Sequence, residues 1–284
     1  MDTICIYHGN CADGFGSAYV VWRERQKVLI AGRTPEGELS FFPATYNQPP
    51  PDVKGKNVIM LDFSYKRDVL DKMIEDCASL LLLDHHKSAK EDLEGVFNNS
   101  KVLGEFDMDR SGAMMTWQWF NPVDDPPQLI KHIQDRDLWR FDLDMTREIQ
   151  AALFSLPYDF DEWAKYMENN LNIISLFNDG QAIERKHHKD VNELLKVTQR
   201  RMNIGGHNVP VANLPYTLVS DAAHKMAIDE PFAGCYWDTP RGRVFGLRST
   251  ADGLDVSEIA LQYGGGGHKA AAGFTVALGW EGEE

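Results

Sequence analysis

The sequence predicts an α/β protein: an N-terminal doubly wound parallel sheet, a helical linker and a smaller C-terminal α/β domain. Three observations carry this reading. Short runs that are apolar throughout, Ile4 to Tyr7, Val58 to Leu61 and Leu80 to Leu83, recur in the first 150 residues. Strands buried on both faces of a parallel sheet read this way, whereas half-solvated strands alternate. Helical patterns follow these runs, and strand-then-helix repetition builds a doubly wound sheet. Finally, 284 residues suit two compact domains or one large α/β domain better than one small core. The expected boundaries are 1–150, 151–203 for the helical linker and 204–284.

In chain order, the first apolar run is followed by Gly14 to Gly16 and then a helical pattern around Ala18, Val21 and Trp22. The proline-rich residues 43–55 read as a surface loop. The run ending at Asp62 precedes a helical stretch from about Tyr65 to Cys77, and the run ending at Asp84 precedes His85 and His86. A proline cluster, Asn121 to Pro127, separates two further helical stretches. From about Phe160 to Arg201 the pattern is helical and polar, as in helices that bridge domains. Beyond Ile204, β-type runs stand at Val209 to Ala212, Ala233 to Tyr236 and Val244 to Leu247. A helical stretch from Val256 to Tyr263 then leads into Gly264-Gly265-Gly266-Gly267-His268.

Composition narrows the function. The formal net charge is −14, and long nucleic acid is held largely by Lys and Arg on phosphates. A small phosphorylated substrate or short oligonucleotide is expected, and a long duplex is not. The four cysteines, Cys5, Cys11, Cys77 and Cys235, form no CxxC pair, so neither a disulfide framework nor a structural zinc site is expected. No basic-then-apolar leader is visible, and no apolar run approaches the roughly 20 residues that span a bilayer. A cytoplasmic location without membrane contact is the expectation; a homodimer is compatible with it.

Each early apolar run ends in groups that can ligate metal: His8, Asp62, then Asp84-His85-His86. Open parallel sheets bind ligands beyond the carboxyl ends of their strands, so separated segments deliver these groups to one edge. Adjacent histidines after a buried strand cannot both enter a core without hydrogen-bond partners. Carboxylates with imidazoles suit manganese, with iron, magnesium or zinc as alternatives. Several carboxylates around one point repel unless cations neutralise them, which favours two ions.

At this point the chain resembles the DHH phosphoesterases, whose members include RecJ-type exonucleases, nanoRNases, cyclic-dinucleotide phosphodiesterases and manganese pyrophosphatases. The motifs are His8-Gly9-Asn10-Cys11-Ala12-Asp13-Gly14, Leu61-Asp62, Asp84-His85-His86 and Asp135-Arg136-Asp137. Gly246-Leu247-Arg248-Ser249 and the run Gly264 to Gly273 look like the family's DHHA1 domain. The resemblance implies a DHH metal-binding catalytic domain, then a DHHA1 substrate domain. It implies that His8 ligates one metal and Asp13 the other, that Asp62 bridges both and that His85 also ligates. His86 would contact substrate phosphate. One of Asp135 and Asp137 would complete the ligand set of the second metal, with Asp137 favoured because Asp137-Leu138-Trp139 matches the family pattern. Asp62, His85 and His86 would carry catalysis, and Asp84 would orient a histidine. Where the family usually has an aspartate, this chain has Cys11. Either the thiolate ligates and shifts preference toward zinc or iron, or Cys11 is no ligand and the first site binds weakly.

At the C-terminal end, glycines let backbone N–H groups approach an anion. Arg248 offers a two-pronged fork for phosphate, His268 donates a further hydrogen bond, Ser249 assists, and Gly265, Gly266 and Gly267 form the cradle. The expected reaction is in-line hydrolysis of phosphodiesters of short oligonucleotides or cyclic nucleotides by water activated between two metals, with the second domain gripping a phosphate across a cleft whose width the helical linker sets. The alternatives are a RecJ-like single-strand exonuclease, a pyrophosphatase or phosphomonoesterase, and a non-catalytic nucleotide-binding protein. His187-His188 reads as surface. Trp117, Trp119 and Phe120 read as packing, not as a base-stacking platform.

Overall fold

A computed structural model describes residues 1–46 and 48–283. Two compact units emerge, residues 1–184 and 185–284. The first contains β1 (Thr3–His8), α1 (Ala12–Ile30), β2 (Leu39–Ala44), β3 (Asn57–Leu61), α2 (Arg67–Asp76), β4 (Ser79–Asp84), α3 (Lys87–Asp92) and β5 (Val102–Phe106). It continues through α4 (Gly112–Phe120), α5 (Gln128–Asp137), α6 (Thr146–Leu153) and α7 (Phe160–Met167) into α8 (Ile173–Thr198). The five strands lie in the order β2-β1-β3-β4-β5, each pair parallel. Chain direction across the sheet therefore reverses between β1 and β3, the position where such folds open a ligand crevice.

Alternate strand residues face opposite layers, as the uniformly apolar runs require. Cys5, Tyr7, Leu61 and Leu83 pack with α1, α4, α5, α6 and α7 on one face. Ile4, Ile6, Val58, Met60, Leu80 and Leu82 pack with Leu70, Met73 and Ile74 of α2 on the other. Much of the stretch expected as a linker belongs to this core: Leu153, Trp163, Met167, Ile173 and Leu176 are buried with it. Two strands escaped the sequence reading. Both β2 and β5 are sheet edges, and β2 carries Pro43, which an edge strand tolerates because it donates no ladder hydrogen bond on its open side. Gly14 and Gly16 do not precede the first helix but lie within α1.

The second unit is built on a mixed six-stranded sheet. Its elements are β6 (Gln199–Ile204), β7 (His207–Asn213), α9 (Val219–Met226), β8 (Ala233–Thr239), β9 (Gly242–Arg248), α10 (Val256–Leu261), β10 (Gly266–His268) and β11 (Ala271–Val276). The order is β10-β11-β9-β8-β7-β6; only β7 and β8 pair in parallel. Val256, Ile259 and Ala260 of α10 cover one face with Phe245 and Phe274. Val191 and Leu195 of α8 and the apolar side of α9 cover the other. The polar pattern read as helix to Arg201 stops at Thr198, because Gln199 to Ile204 form an edge strand with Met202 and Ile204 turned inward. No helix among the described residues is long and apolar enough to cross a membrane.

Candidate metal centre

The carboxyl ends of β1, β3 and β4 deliver His8, Asp62 and Asp84-His85-His86 to one edge of the first unit's sheet. Asp62 follows β3 in the left-handed region, φ 53°, a conformation aspartate tolerates better than most residues. Its N–H donates to the carbonyl of Leu83 at 2.9 Å, which locks the turn to the neighbouring strand. The carboxylate then meets three groups. Oδ1 lies 3.0 Å from His85 Nε2, Oδ2 lies 3.5 Å from His8 Nδ1, and the Cys11 thiol reaches Oδ2 at 3.7 Å. His85 Nε2 is also 3.8 Å from Asp13 Oδ2 and 3.5 Å from Asp137 Oδ2.

Among the described residues, two sets of donor atoms lie wholly within the first unit, each within 4.8 Å of one another: Asp13, Asp62 and His85, and His8, Asp62 and His86. Asp62 belongs to both. Asp13 and Asp62 are each 1% exposed. Two unit charges 4.8 Å apart repel by roughly 3.5 kcal/mol at an effective dielectric constant of about 20.

This crowding displaces the proton affinities of the cluster. Burial, then the charges of Asp62 and Asp137, push the Asp13 carboxyl well above the usual carboxylate range. Burial also raises Asp137, against the pull of His85. Burial opposes the charged form of His85, yet its hydrogen bond to Asp62 and the charge of Asp137 carry it up to about 10. Burial likewise opposes His8, which Asp62 and Cys11 raise. Asp62 goes the other way: burial disfavours its charge, but the hydrogen bonds to His8 and His85 hold it well below the usual range. Burial and the neighbouring Asp62 push Cys11 up to about 11, so it is a thiol at neutral pH. A site whose histidines and two carboxyls are all raised in proton affinity carries excess negative charge. Divalent cations are the ordinary remedy, and mixed carboxylate and imidazole donors fit them.

The surrounding chain shapes this donor set. Asp84 is fully buried; its Oδ1 accepts from the N–H groups of His85 (2.7 Å) and His86 (3.2 Å) and lies 2.7 Å from His86 Nδ1. Ser64 donates to Oδ2 at 2.5 Å. Asp84 therefore orients His86, not His85. Asp13 accepts from the N–H groups of Gly112 (2.5 Å) and Ala113 (3.0 Å) at the start of α4, where the helix dipole favours an anion.

Gly112 escaped the sequence reading. A Cβ there would meet Asp62 Cβ at 2.5 Å and Asp13 Oδ2 at 3.0 Å, so only glycine lets α4 approach both carboxylates. Its signal was the Ser111-Gly112 pair opening an apolar helix, an N-cap pattern now seen with Met114 donating to the Ser111 hydroxyl. Tyr46 also escaped: its ring stands 5.7 Å from that of His8 and 6.4 Å from that of His86, and nothing in a proline-rich loop announces it. Asp135 faces away from His85. Its oxygens accept from the N–H groups of Asp142 (2.8 Å) and Leu143 (3.2 Å) and from Thr146 Oγ1 (2.6 Å).

In the second unit, sheet register organises the expected phosphate residues. His268 pairs with Ala271, and Ala271 pairs with Arg248. Paired residues on adjacent strands project to one face, so His268 and Arg248 share a face with a small alanine between them. Arg248 donates to Ser220 Oγ at 2.8 Å and to the carbonyl of Leu247 at 2.7 Å. Ser249 is 3% exposed, and its hydroxyl donates to the carbonyl of Lys269 at 3.3 Å.

The glycine run differs from the expected open cradle. The Gly265 N–H donates to the carbonyl of Ala260 at 2.9 Å, and Gly266 and Gly267 form β10 against β11. Gly267 has φ 143°, and a Cβ there would lie 2.5 Å from the carbonyl oxygen of Ala271. Tight hairpin packing accounts for these glycines. His187, expected on the surface, is half-buried, with Nε2 3.0 Å from Asp221 Oδ2. Trp117 is core, its indole N–H donating to the carbonyl of Asp124 at 3.1 Å, whereas Trp119 is exposed.

No protein-family model matches the chain. An uncharacterized protein, R106, of Acanthamoeba polyphaga mimivirus is 30% identical over 290 residues; the match spans 95% of this chain but only 66% of that protein's length. Among solved structures, the DHH domain of PF0399, a member of the s1p family of ribosomal proteins, matches with a TM-score of 0.63. Identity is 12%, over 97% of this chain and 83% of that one. RecJ of Thermus thermophilus in complex with Mn2+ matches with a TM-score of 0.53 and 14% identity, over 96% of this chain and 49% of that one. A structure of exonuclease RecJ bound to manganese gives 0.51 and 15%, over 96% and 86%. These structural likenesses concern the fold. The chain thus has the fold of the PF0399 DHH domain and of the RecJ structures.

Proposed function

We propose that the chain is a metal-dependent phosphoesterase acting on phosphodiester bonds of short oligonucleotides or cyclic nucleotides. The observation that carries this reading is the pair of donor sets sharing Asp62: one carboxylate common to two cation positions is what two-metal phosphoryl chemistry needs. His8, Asp62 and His86 would hold one ion, and Asp13, Asp62, His85 and Asp137 the other. Two divalent cations bound there would supply Lewis acidity, generate the nucleophile from water at neutral pH and offset charge on phosphoryl oxygens. Manganese is the first ion to test, since the RecJ structures of similar fold hold it.

The chain's own residues do the positioning. Gly112 and Ala113 hold the Asp13 carboxylate with two backbone donors. Asp84 fixes the His86 ring through Nδ1, so Nε2 is the nitrogen that meets a cation or a phosphate oxygen. In the second unit, Arg248 and His268 offer donors on one sheet face, and a guanidinium fork suits a phosphate. The net charge of −14 favours a short substrate over a long strand, whose binding rests on many phosphate contacts.

The test is hydrolysis with Mn2+ of a dinucleotide, a cyclic dinucleotide, a phosphorylated mononucleotide, pyrophosphate and a longer single strand, with Asp62→Ala as control. Turnover of a short diester, lost in the control, is expected. Full activity of Asp62→Ala would sink the mechanism, and no turnover of any substrate with Mn2+ or Zn2+ would move the assignment to a nucleotide-binding protein.

A further inference from the structure

The segment just beyond Asp137 is strained and tightly held. Helix α5 closes with Trp139 N–H donating to the carbonyl of Arg136 (3.1 Å) and Arg140 N–H to that of Asp135 (2.9 Å). This is a Schellman closure, which needs a left-handed residue and normally uses glycine. Here Trp139 takes that position at φ 56°, and Phe141 (54°) and Met145 (68°) lie in the same region. Bulky residues stay in left-handed conformations only where their surroundings over-determine them.

Those surroundings converge on Asp135, which is 4% exposed. Its two carboxylate oxygens collect Asp142 N–H, Leu143 N–H and the Thr146 hydroxyl. Thr146 donates its single hydroxyl proton to the carboxylate. The 2.8 Å contact between Thr146 Oγ1 and His132 Nδ1 therefore places a proton on His132 Nδ1. On the outer side, the guanidinium of Arg136 stacks 4.2 Å from the Trp139 ring centre, and that of Arg147 stacks 3.6 Å from the Phe141 ring centre. The two rings meet edge to face at 5.1 Å.

Asp137 is the last residue of α5, where the helix dipole disfavours a carboxylate. The helix end by itself does not hold it beside His85, so its position depends on the turn that succeeds it.

We infer that Asp135 is a positioning residue. Together with Thr146 and the stack of Arg136, Trp139, Phe141 and Arg147, it clamps the turn after α5 and so sets Asp137 against His85 for cation binding. Of the two aspartates in Asp135-Arg136-Asp137, the first holds the turn and the second faces the ion. The inference rests on the proposed role of Asp137 as a ligand.

The experiment is Mn2+ titration by calorimetry of the full chain and of Asp137→Asn, Asp135→Asn, Thr146→Val and Thr146→Ser, with metal-free melting curves for each. Asp135→Asn and Thr146→Val are expected to weaken one Mn2+ site by about 10- to 100-fold, the usual cost of removing an outer partner. Thr146→Ser, which keeps the hydroxyl, is expected to bind as the parent does. Wild-type binding by Asp137→Asn would instead refute the ligand role itself. If Asp137→Asn weakens binding but Thr146→Val does not, the clamp is overturned while the ligand role stands. Loss of a site in Asp135→Asn with Thr146→Val unchanged would make Asp135 a ligand, which also overturns it. Should Asp135→Asn fail to fold, the two Thr146 variants decide. A lowered melting temperature with unchanged Mn2+ affinity would reduce the clamp to a purely structural feature.

Discussion

The candidate residues of the two units stand in different surroundings. In the first, Asp13, Asp62 and His85 are buried against one another and against His8 and Asp137, and their proton affinities are displaced in both directions. In the second, Arg248 meets a hydroxyl and a carbonyl, and Ser249 meets a carbonyl. The contrast teaches that the first sheet edge crowds carboxylates and imidazoles together, as cation sites do, while Arg248 and Ser249 of the second unit are donors set by their strands.

Removing metal is the strongest way to break this comparison. Chelation should take hydrolysis to background, and Mn2+ at about 100 times its Kd should add about 2.7 kcal/mol of stability. At about 2–4 °C per kcal/mol for a unit of this size, the melting transition of the first unit should rise by roughly 5–11 °C. Asp62→Ala should abolish the rise and Arg248→Ala should not. A rise that survives Asp62→Ala would put the cations elsewhere.

A smaller effect is expected from Arg248→Ala on turnover. Losing a hydrogen bond from a charged group costs about 1.5–3 kcal/mol, which lowers kcat/KM by roughly 10- to 100-fold, with the loss appearing mainly in KM. Unchanged kcat/KM would remove Arg248 from substrate binding. The smallest change is expected at Cys11, whose thiol lies 3.7 Å from Asp62. Cys11→Asp should retain or modestly strengthen Mn2+ binding, since a carboxylate is the harder donor. Loss of all metal in that variant would count against the placement of Cys11 at this site.

The central strands were legible because burial on both faces leaves no other composition available: Ile4 to Tyr7, Val58 to Leu61 and Leu80 to Leu83 each lie inside an observed strand. The edge strands β2 and β5 were not, since one open side removes that constraint. At the candidate site, His8, Asp62, His85 and His86 could be picked out because polar groups at the ends of buried strands have few structural uses, and Asp13, inside α1, through the motif that begins at His8. Gly112 and Tyr46 could not. Their importance lies in what stands opposite them, and Gly112 approaches Asp13 across 99 residues of chain.

Sequence by itself determined the α/β class, the polar set delivered by the strand ends and the acidic excess. Tertiary structure alone decided that Asp84 serves His86, that Gly112 stands against Asp13 and Asp62, and that Asp135 accepts from Asp142, Leu143 and Thr146. Residue type states which bonds a group is able to make. Partner and direction depend on distances between segments far apart in the chain, and only the packed sheet sets those.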